Sequence, residues 1–314
     1  MISLGFLLSP GFQMMSCAAI SAFELANVSA GEPLYEIHVL SENGGPIASS
    51  MAFSVDTRAF DEPAFDTLIV SGVMEVAPST PGLLDFVRRA PATCRRVASI
   101  CTGAHILAEA GLLDGRRATT HWMLARDLQS AFPKVRMEDD RIFIIDGPIW
   151  TSAGMSAGID LALAMIEKDF GAELARSTAQ KLVVYHRRAG GQSQHSELLK
   201  MDAKSDRIQS ALNYARQNLR TALSVEQLAE AAHLSPRQFS RAFRAETGQS
   251  PAKAVEHLRV EAARLMMEQS RHPIDVVATE TGFADRERMR RAFLRAFGQP
   301  PQVIRRNARA EAVA

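Results

Sequence analysis

Leu234-Ser235-Pro236-Arg237-Gln238-Phe239-Ser240-Arg241-Ala242-Phe243 decides how the C-terminal third of the chain folds. Ser235 is a good helix N-cap, and Pro236 suits the first helical position, where its missing N–H leaves no bond unmade. Phe239, Ala242 and Phe243 fall at i, i+3 and i+4 on one face, which turns Arg237, Gln238, Ser240, Arg241 and Arg244 outward. Ahead of this helix Val225 to Ala232 predicts a shorter amphipathic one, with His233-Leu234 as the turn, and behind it Gly248 and Pro251 end the run. The tripeptide Arg241-Ala242-Phe243 recurs 50 residues on as Arg291-Ala292-Phe293. There Ile274 to Thr281 is the first helix, Gly282-Phe283-Ala284 the turn and Asp285 the cap, and Gly298 and Pro301 close the copy. Met289, Ala292, Phe293 and Phe297 face inward, with Arg286, Glu287, Arg288, Arg290 and Arg291 outward. The second turn is one residue longer. A single amphipathic pair with arginine on its wet face is commonplace. Two copies in register predict twin helix-turn-helix motifs and double-stranded DNA as partner. Between them Ala252 to Ser270 predicts one helix with Val255, Leu258, Ala262, Leu265 and Met266 on its apolar side. At this length it spans about 30 Å, enough to set the two second helices one turn of B-DNA apart.

Charge is distributed as a DNA-binding tail requires. Residues 205–314 hold 18 Lys and Arg against 12 Asp and Glu, leaving 18 and 23 of the chain's 36 and 35 for residues 1–204. Of the basic residues in the tail all but Lys253 are arginine, the side chain suited to bidentate guanine and phosphate contacts. The span from about Ala211 to Arg306 resembles the AraC/XylS family of transcriptional regulators. The run quoted above and the terminal Phe297-Gly298-Gln299-Pro300-Pro301 carry that likeness. It implies Arg237, Gln238, Arg241, Arg286, Arg288 and Arg290 as groove-facing positions, with Ser240, Arg244 and Arg291 beside them.

A length of 314 residues suits two domains. Three cysteines, Cys17, Cys94 and Cys101, are too few and odd in number for a disulfide framework and fit a cytoplasmic protein. Ile2 to Leu8 lacks a basic flank and is broken by Ser9-Pro10-Gly11, so it reads as a buried strand and not as a leader. No apolar stretch nears the ~18 residues that span a bilayer, so no membrane partner is expected. Periodicity is lost at Ala189-Gly190-Gly191-Gln192, predicting residues 1–188 as one domain, 189–204 as a linker and 205–308 as the DNA-binding domain.

In the first domain short apolar runs alternate with helical patterns. Strands are expected at Ile2–Leu8, Leu34–Leu40, Thr67–Ser71, Val97–Ile100, Ile142–Ile145 and Ile149–Ser152. Helices are expected at Met15–Ser29, Pro81–Arg89, Gly103–Ala110, Trp122–Ala131, Ser156–Phe170 and Ala172–Arg187. The alternation predicts an α/β fold, a mostly parallel open sheet flanked by helices, followed by the all-α tail. Ligands of such sheets bind beyond the carboxyl ends of the strands, here Pro10, Ser71-Gly72, Cys101-Thr102 and Thr151. At Cys101 a buried strand turns sharply into a helix, the geometry of a nucleophile elbow, and His121 follows twenty residues later.

This half resembles the PfpI-type members of the class I glutamine-amidotransferase-like superfamily. Joined to the tail it is similar to GlxA-family regulators, through Thr102-Gly103, the run from Leu107 to Gly115, Thr120-His121-Trp122 and the run from Trp150 to Gly154. Enzymes of the superfamily place a carboxylate from the first helix beside the thiol. Here Met15 and Ser21 stand at those positions, and Glu24 falls about a turn too far along. Cys101 and His121 are therefore expected to be a vestigial elbow without catalysis, metal or cofactor; a packing role for Cys101 and a capping role for His121 stay open. Trp122 and Trp150 are candidates for a cation or apolar group in the crevice, with plain core packing as the alternative.

The resemblance implies a cytoplasmic transcription activator of catabolic genes that senses a small amine or amino-acid-like metabolite, such as a betaine or carnitine. It further implies a homodimer formed through the first domain, repeated half-sites and RNA polymerase as a partner. The competing expectation is a cysteine-dependent hydrolase or glyoxalase-like enzyme tethered to DNA.

Overall fold

Thr67–Val70 (β5), Arg96–Ile100 (β6) and Ile149–Ser152 (β10) are buried along their whole length, as strands covered on both faces must be. They are the centre of an eight-stranded sheet of order β3-β4-β2-β1-β5-β6-β10-β9. Its other members are β1 (Ile2–Leu7), β2 (Tyr35–Ser41), β3 (Gly45–Ala48), β4 (Ser54–Ala59) and β9 (Phe143–Asp146). Pairing from β4 across to β10 is parallel, with Leu4 opposite both Ile37 and Thr67 and Val97 opposite both Leu68 and Ile149. The outer strands β3 and β9 run antiparallel. Chain order reverses at β1, which lies between β2 and β5. In open α/β sheets this reversal opens a crevice at the carboxyl ends.

The computed structural model describes residues 1–61, 64–184, 188, 190, 194, 205–270 and 272–306, with only the backbone at Glu268 and Gln269. The chain divides into two compact units, Met1–Gln194 and His195–Val313. In the first, α1 (Ala18–Ala30), α5 (Ala157–Phe170) and α6 (Ala172–Lys181) cover one sheet face through Phe23, Leu161, Ile166 and Ala175. The other face is covered by α2 (Pro81–Thr93), α3 (Gly103–Glu109) and α4 (Trp122–Ala131) through Phe86, Val87, Leu107 and Leu128. A short parallel pair, β7 (Arg117–Ala118) with β8 (Arg136–Met137), lies outside the main sheet.

Several elements depart from expectation. The helix expected from Met15 opens as a 3-10 turn, Met14–Cys17, before α1 begins at Ala18. The β3–β4 hairpin was not foreseen, because it is polar and mostly exposed. Helix α2 runs through Pro91 to Thr93 instead of stopping at Arg89; the proline forgoes the one bond its N–H would have made, and the Cys94 amide still closes the last turn on Ala90 O at 2.7 Å. Helix α6 ends at Lys181 and not at Arg187: Leu182 caps it and Val183 is left-handed (φ 56°). Tyr185 to Arg187 lie outside the described residues, as does most of the expected linker; within 189–204 only Gly190 and Gln194 are described.

The first described helix of the second unit is one that the sequence pattern did not predict, α7 (Asp206–Gln217), capped by Ser205 and burying Ile208, Ala211, Leu212 and Ala215. Then come α8 (Val225–Ala231), α9 (Pro236–Thr247), α10 (Pro251–Gln269), α11 (Ile274–Glu280) and α12 (Arg286–Phe297). Ser224 with Gln227 and Ser235 with Gln238 form capping boxes. Asp285 accepts from the Arg288 amide at 2.7 Å. Gly248 and Gly298 end α9 and α12 in the left-handed conformation. The repeat extends to the turns: the Leu234 amide donates to Ala229 O at 3.0 Å, and Phe283, its counterpart, donates to Ala278 O at 2.8 Å. The extra residue of the second copy is therefore Ala284.

Helix α10 serves two cores. Ala254, Val255 and Leu258 join Phe239 and Phe243, whereas Val260, Ala263 and Met267 join Met289 and Phe293. At about 100° per residue these two sets lie on opposite sides of the helix. One continuous apolar stripe through Ala262 and Leu265 was expected; both are only half-buried, because the helix changes faces midway.

Candidate functional site

At the end of β6 the backbone of Cys101 is left-handed (φ 55°), the strained turn expected of an elbow. Its N–H donates to Ser152 O and Ala153 O at 3.2 Å, and Thr120 Oγ1 donates to its carbonyl at 2.8 Å. Close packing fixes the turn further: a Cβ on Gly72 would lie 2.8 Å from Thr102 Oγ1 and 2.9 Å from Cys101 Cβ. Burial pushes the Cys101 thiol above its ordinary pKa, outweighing the backbone N–H groups of Thr102 and Met155 that favour the thiolate. The geometry of an elbow is present while its nucleophile is held protonated.

The other residues expected around it divide. His121 caps α4, with Nδ1 accepting from the Met123 amide at 3.3 Å, and its ring packs against Gly154 and stacks on Trp122. Thr151 Oγ1 accepts from the Thr119 amide at 2.9 Å. Ser71 is buried, and its hydroxyl has no hydrogen-bond partner among the described residues. Trp122 is exposed, whereas Trp150 is buried with Arg96 over its ring at 5.3 Å. Arg96 begins β6, so Trp150 packs toward the amino ends of the strands, away from the crevice where a ligand was expected. Met15 and Glu24 are exposed, and the buried side chain ahead of α1 is Ser16.

A cavity of about 370 Å³ opens at the carboxyl ends of β1, β2 and β5, where the strand order reverses. Pro10 and Thr102 line it, together with Phe60 and Val76; Cys101, His121 and both tryptophans do not. Two carboxylates, Glu42 and Glu75, and the ring of His105 also line it, and none of the described lining residues is Lys or Arg. The Glu42 carboxylate accepts from Thr80 Oγ1 at 2.7 Å, while His105 Nδ1 is buried with no hydrogen-bond partner among the described residues. The sequence reading missed these three. Glu42 sits directly after β2, a strand-end position that the carboxyl-end rule alone could have flagged.

On α9, Arg237, Gln238, Arg241 and Arg244 are exposed and Ser240 is half-buried; on α12, Arg286, Arg288, Arg290 and Arg291 are exposed. They are not equivalent. The Gln238 side-chain oxygen is used in its capping box, and Arg290 pairs with Glu287 at 2.9 Å.

A helix-turn-helix domain model matches residues 228–307, and a DJ-1/PfpI family model matches residues 17–168. The HTH-type transcriptional regulator GlxA of Rhizobium meliloti is 31% identical over 311 residues, covering 97% of this chain and 96% of that protein. The chain belongs to the GlxA family of HTH-type transcriptional regulators. Isonitrile hydratase of Pseudomonas putida is 34% identical over 179 residues, 56% of this chain and 75% of that enzyme. A crystal structure of an AraC family transcriptional regulator from Pseudomonas putida has the same fold, with a TM-score of 0.54 at 21% identity, over 58% of this chain and all of that one.

As a GlxA-family member the chain is a DNA-binding transcription regulator, with an AraC-type helix-turn-helix tail joined to a DJ-1/PfpI-like sheet domain. No described helix is long and apolar enough to cross a membrane. Its cysteines are poor nucleophiles: burial pushes Cys17 up to about 11 and raises Cys94 and Cys101 as well. Alkylation of Cys101 by iodoacetamide, followed by peptide mass spectrometry, is expected to be slow at neutral pH and to accelerate into the alkaline range. A rate already at its plateau at pH 7 would show a thiolate there and contradict this.

Proposed function

We propose that this regulator senses a small cationic metabolite, an amine or amino-acid-like compound, in the cavity at the sheet's reversal point. The observation that carries the reading is the lining: two carboxylates, with neither Lys nor Arg among the described lining residues, within largely apolar walls and at a size typical of small-molecule sites. That polarity favours an ammonium end.

A contiguous path supports coupling to DNA. Thr102, in the cavity wall, is bonded to Val73 and adjoins Cys101, whose carbonyl accepts from Thr120. The Thr120 carbonyl in turn accepts from the Gln194 side chain at 2.8 Å, and Gln194 Oε1 accepts from the Trp122 amide at 3.0 Å. Gln194 is the last residue of the first unit. Occupancy that shifts Thr102 would thus reach the start of the connection to the DNA-binding unit, provided the ligand prefers one arrangement. The reading extends to the elbow residues Ser71, Gly72, Cys101, His121, Trp122 and Thr151 as this relay, and to Arg237, Gln238, Ser240, Arg241 and Arg244 of α9 and Arg286, Arg288, Arg290 and Arg291 of α12 as base and phosphate contacts. The regulator is further proposed to act in the cytoplasm as an activator of catabolic genes, a homodimer through its first unit that binds repeated half-sites beside RNA polymerase.

Thermal melting of the full chain with choline, carnitine and the uncharged carbon isostere of choline tests the pocket. Choline, a cation, and carnitine, a zwitterion held by its ammonium end, are expected to raise Tm and the isostere not; at 100-fold excess over Kd a ligand stabilises by about 2.7 kcal/mol. Glu42→Gln with Glu75→Gln should abolish the rise, whereas Gln194→Ala should keep it and lose the ligand dependence of operator binding. A rise undiminished in the double variant, or none with any cation, sinks the proposal.

The elbow and the isonitrile hydratase likeness favour one other reading, a cysteine-dependent enzyme tethered to DNA. Cys101→Ser separates the two, since an enzyme loses turnover while a sensor keeps ligand-dependent regulation.

A further inference from the structure

The two helix-turn-helix copies place a left-handed residue at the same point of the turn: His233 (φ 52°) in the first and Gly282 (φ 79°), 49 residues later, in the second. His233 shows that this backbone conformation tolerates a side chain, so conformation alone does not demand glycine at Gly282. What demands it is proximity. A Cβ on Gly282 would overlap the carbonyl oxygen of Leu219 and lie 2.8 Å from Arg259 Nε. Leu219 follows α7 in the first copy's bundle, and Gly282 opens the turn of the second, so two modules with separate cores meet backbone to backbone here.

Arg259, from the middle of α10, locks the meeting point. Its Nε donates to Leu219 O at 3.1 Å and its Nη2 to Thr221 O at 2.7 Å. Beside it Arg220 pairs with Glu280, the last residue of α11, at 3.1 Å. Burial and the charge of Arg288 hold the Arg259 guanidinium below its ordinary pKa. Without such contacts the two modules would share only one helix, free to bend and twist between them.

We infer that Gly282, Arg259 and the Leu219 and Thr221 carbonyls form a pin that fixes the pitch between the two helix-turn-helix motifs, and with it the spacing of the paired DNA boxes the regulator accepts. One base pair of extra spacing moves a box ~3.4 Å along the duplex and turns it by about 35°. A pinned pair cannot follow that change without deforming protein or DNA.

The test uses full-length protein and a two-box site selected by it from random duplexes, then remade with the spacer one base pair longer, one shorter, and with each box alone. Wild type should bind the altered spacings about tenfold or more weakly than the selected one. Arg259→Met, which keeps the packed stem, should bring all three spacings within about threefold while leaving single-box affinity within about twofold. Gly282→Ala should move the preferred spacing; if it does not fold, Arg259→Met, at a half-buried position, carries the test. A spacing profile unchanged in Arg259→Met overturns the pin, and so does a single-box loss as large as the two-box loss.

Discussion

Asp169→Ala is expected to destabilise the first unit by about 3–5 kcal/mol, the range for removing one partner of a buried ion pair. Asp169 lies on α5 with its side chain almost wholly enclosed, paired with the equally enclosed Arg96 and with Arg95 at 2.9 Å. Tyr35 Oη donates to its carboxylate at 3.0 Å, and Arg96 Nε donates to Thr67 Oγ1 at 2.7 Å. The cluster therefore ties α5 to β2, β5 and β6. Truncating the acid leaves a guanidinium against the Trp150 ring without its paired carboxylate, the remaining acid, Asp66, being hydrogen-bonded to Arg95, and the enclosed site hinders rehydration. Against a total stability of about 5–15 kcal/mol such a loss is severe. Both tryptophans belong to the first unit, so urea unfolding followed by their fluorescence reports on it alone. Arg95→Ala, at a half-exposed position, is the control and should cost far less. A change below about 1 kcal/mol in Asp169→Ala would mean that the cluster is solvated and the argument wrong.

The same cluster sets an alkaline limit. Burial, and then the Asp169 charge, raise the Tyr35 pKa above its ordinary value. A group whose folded pKa exceeds its unfolded one stabilises fully below the unfolded value, about 10 for tyrosine, and that contribution falls as pH rises beyond it. Stability should therefore decline above about pH 10, and less steeply in Asp169→Ala, although burial keeps part of the effect.

Legibility in the sequence followed the range of the forces at work. Trp122–Ala131 and Ile149–Ser152 have the bounds their patterns predicted, because a cap or a doubly buried run is a local signal. Both copies of the helix-turn-helix were readable for the same reason: cap, apolar spacing and terminator sit within a dozen residues. The β3–β4 hairpin gave no such signal, since β4 meets β2 only at Leu40 with Arg58 and Ser41 with Ala59 and shows water most of its side chains. Trp150 was legible as an aromatic but not as to which end of the sheet it served; that depended on Arg96, far away in sequence. The cavity's charge was hidden likewise. Glu42 joins its wall because Thr80, 38 residues on, comes back to meet it.

Phe293→Ala is expected to unfold the second helix-turn-helix module while the first stays folded. Phe293 is fully buried in a core with Val260, Ala263, Met267, Val277, Ala278, Phe283, Met289 and Ala292, and none of these belongs to the core around Phe239 and Phe243. Removing a buried phenyl ring costs about 3–5 kcal/mol, and a module this small has little more than that to lose. Amide hydrogen exchange should lose protection in α11, α12 and the second half of α10 while α7 to α9 keep theirs. DNA binding should suffer in a specific way: the four arginines of α12 proposed as contacts, Arg286, Arg288, Arg290 and Arg291, leave the interface together, so the salt dependence of affinity falls by roughly one unit of slope for each phosphate no longer neutralised. Arg241→Ala, on the intact first module, should instead cost about 1–3 kcal/mol if it reads a base, with the helix still in place. Loss of protection across both modules in Phe293→Ala would show that the two cores fold as one, and the picture of separate reading heads joined through α10 and its pin would have to be abandoned.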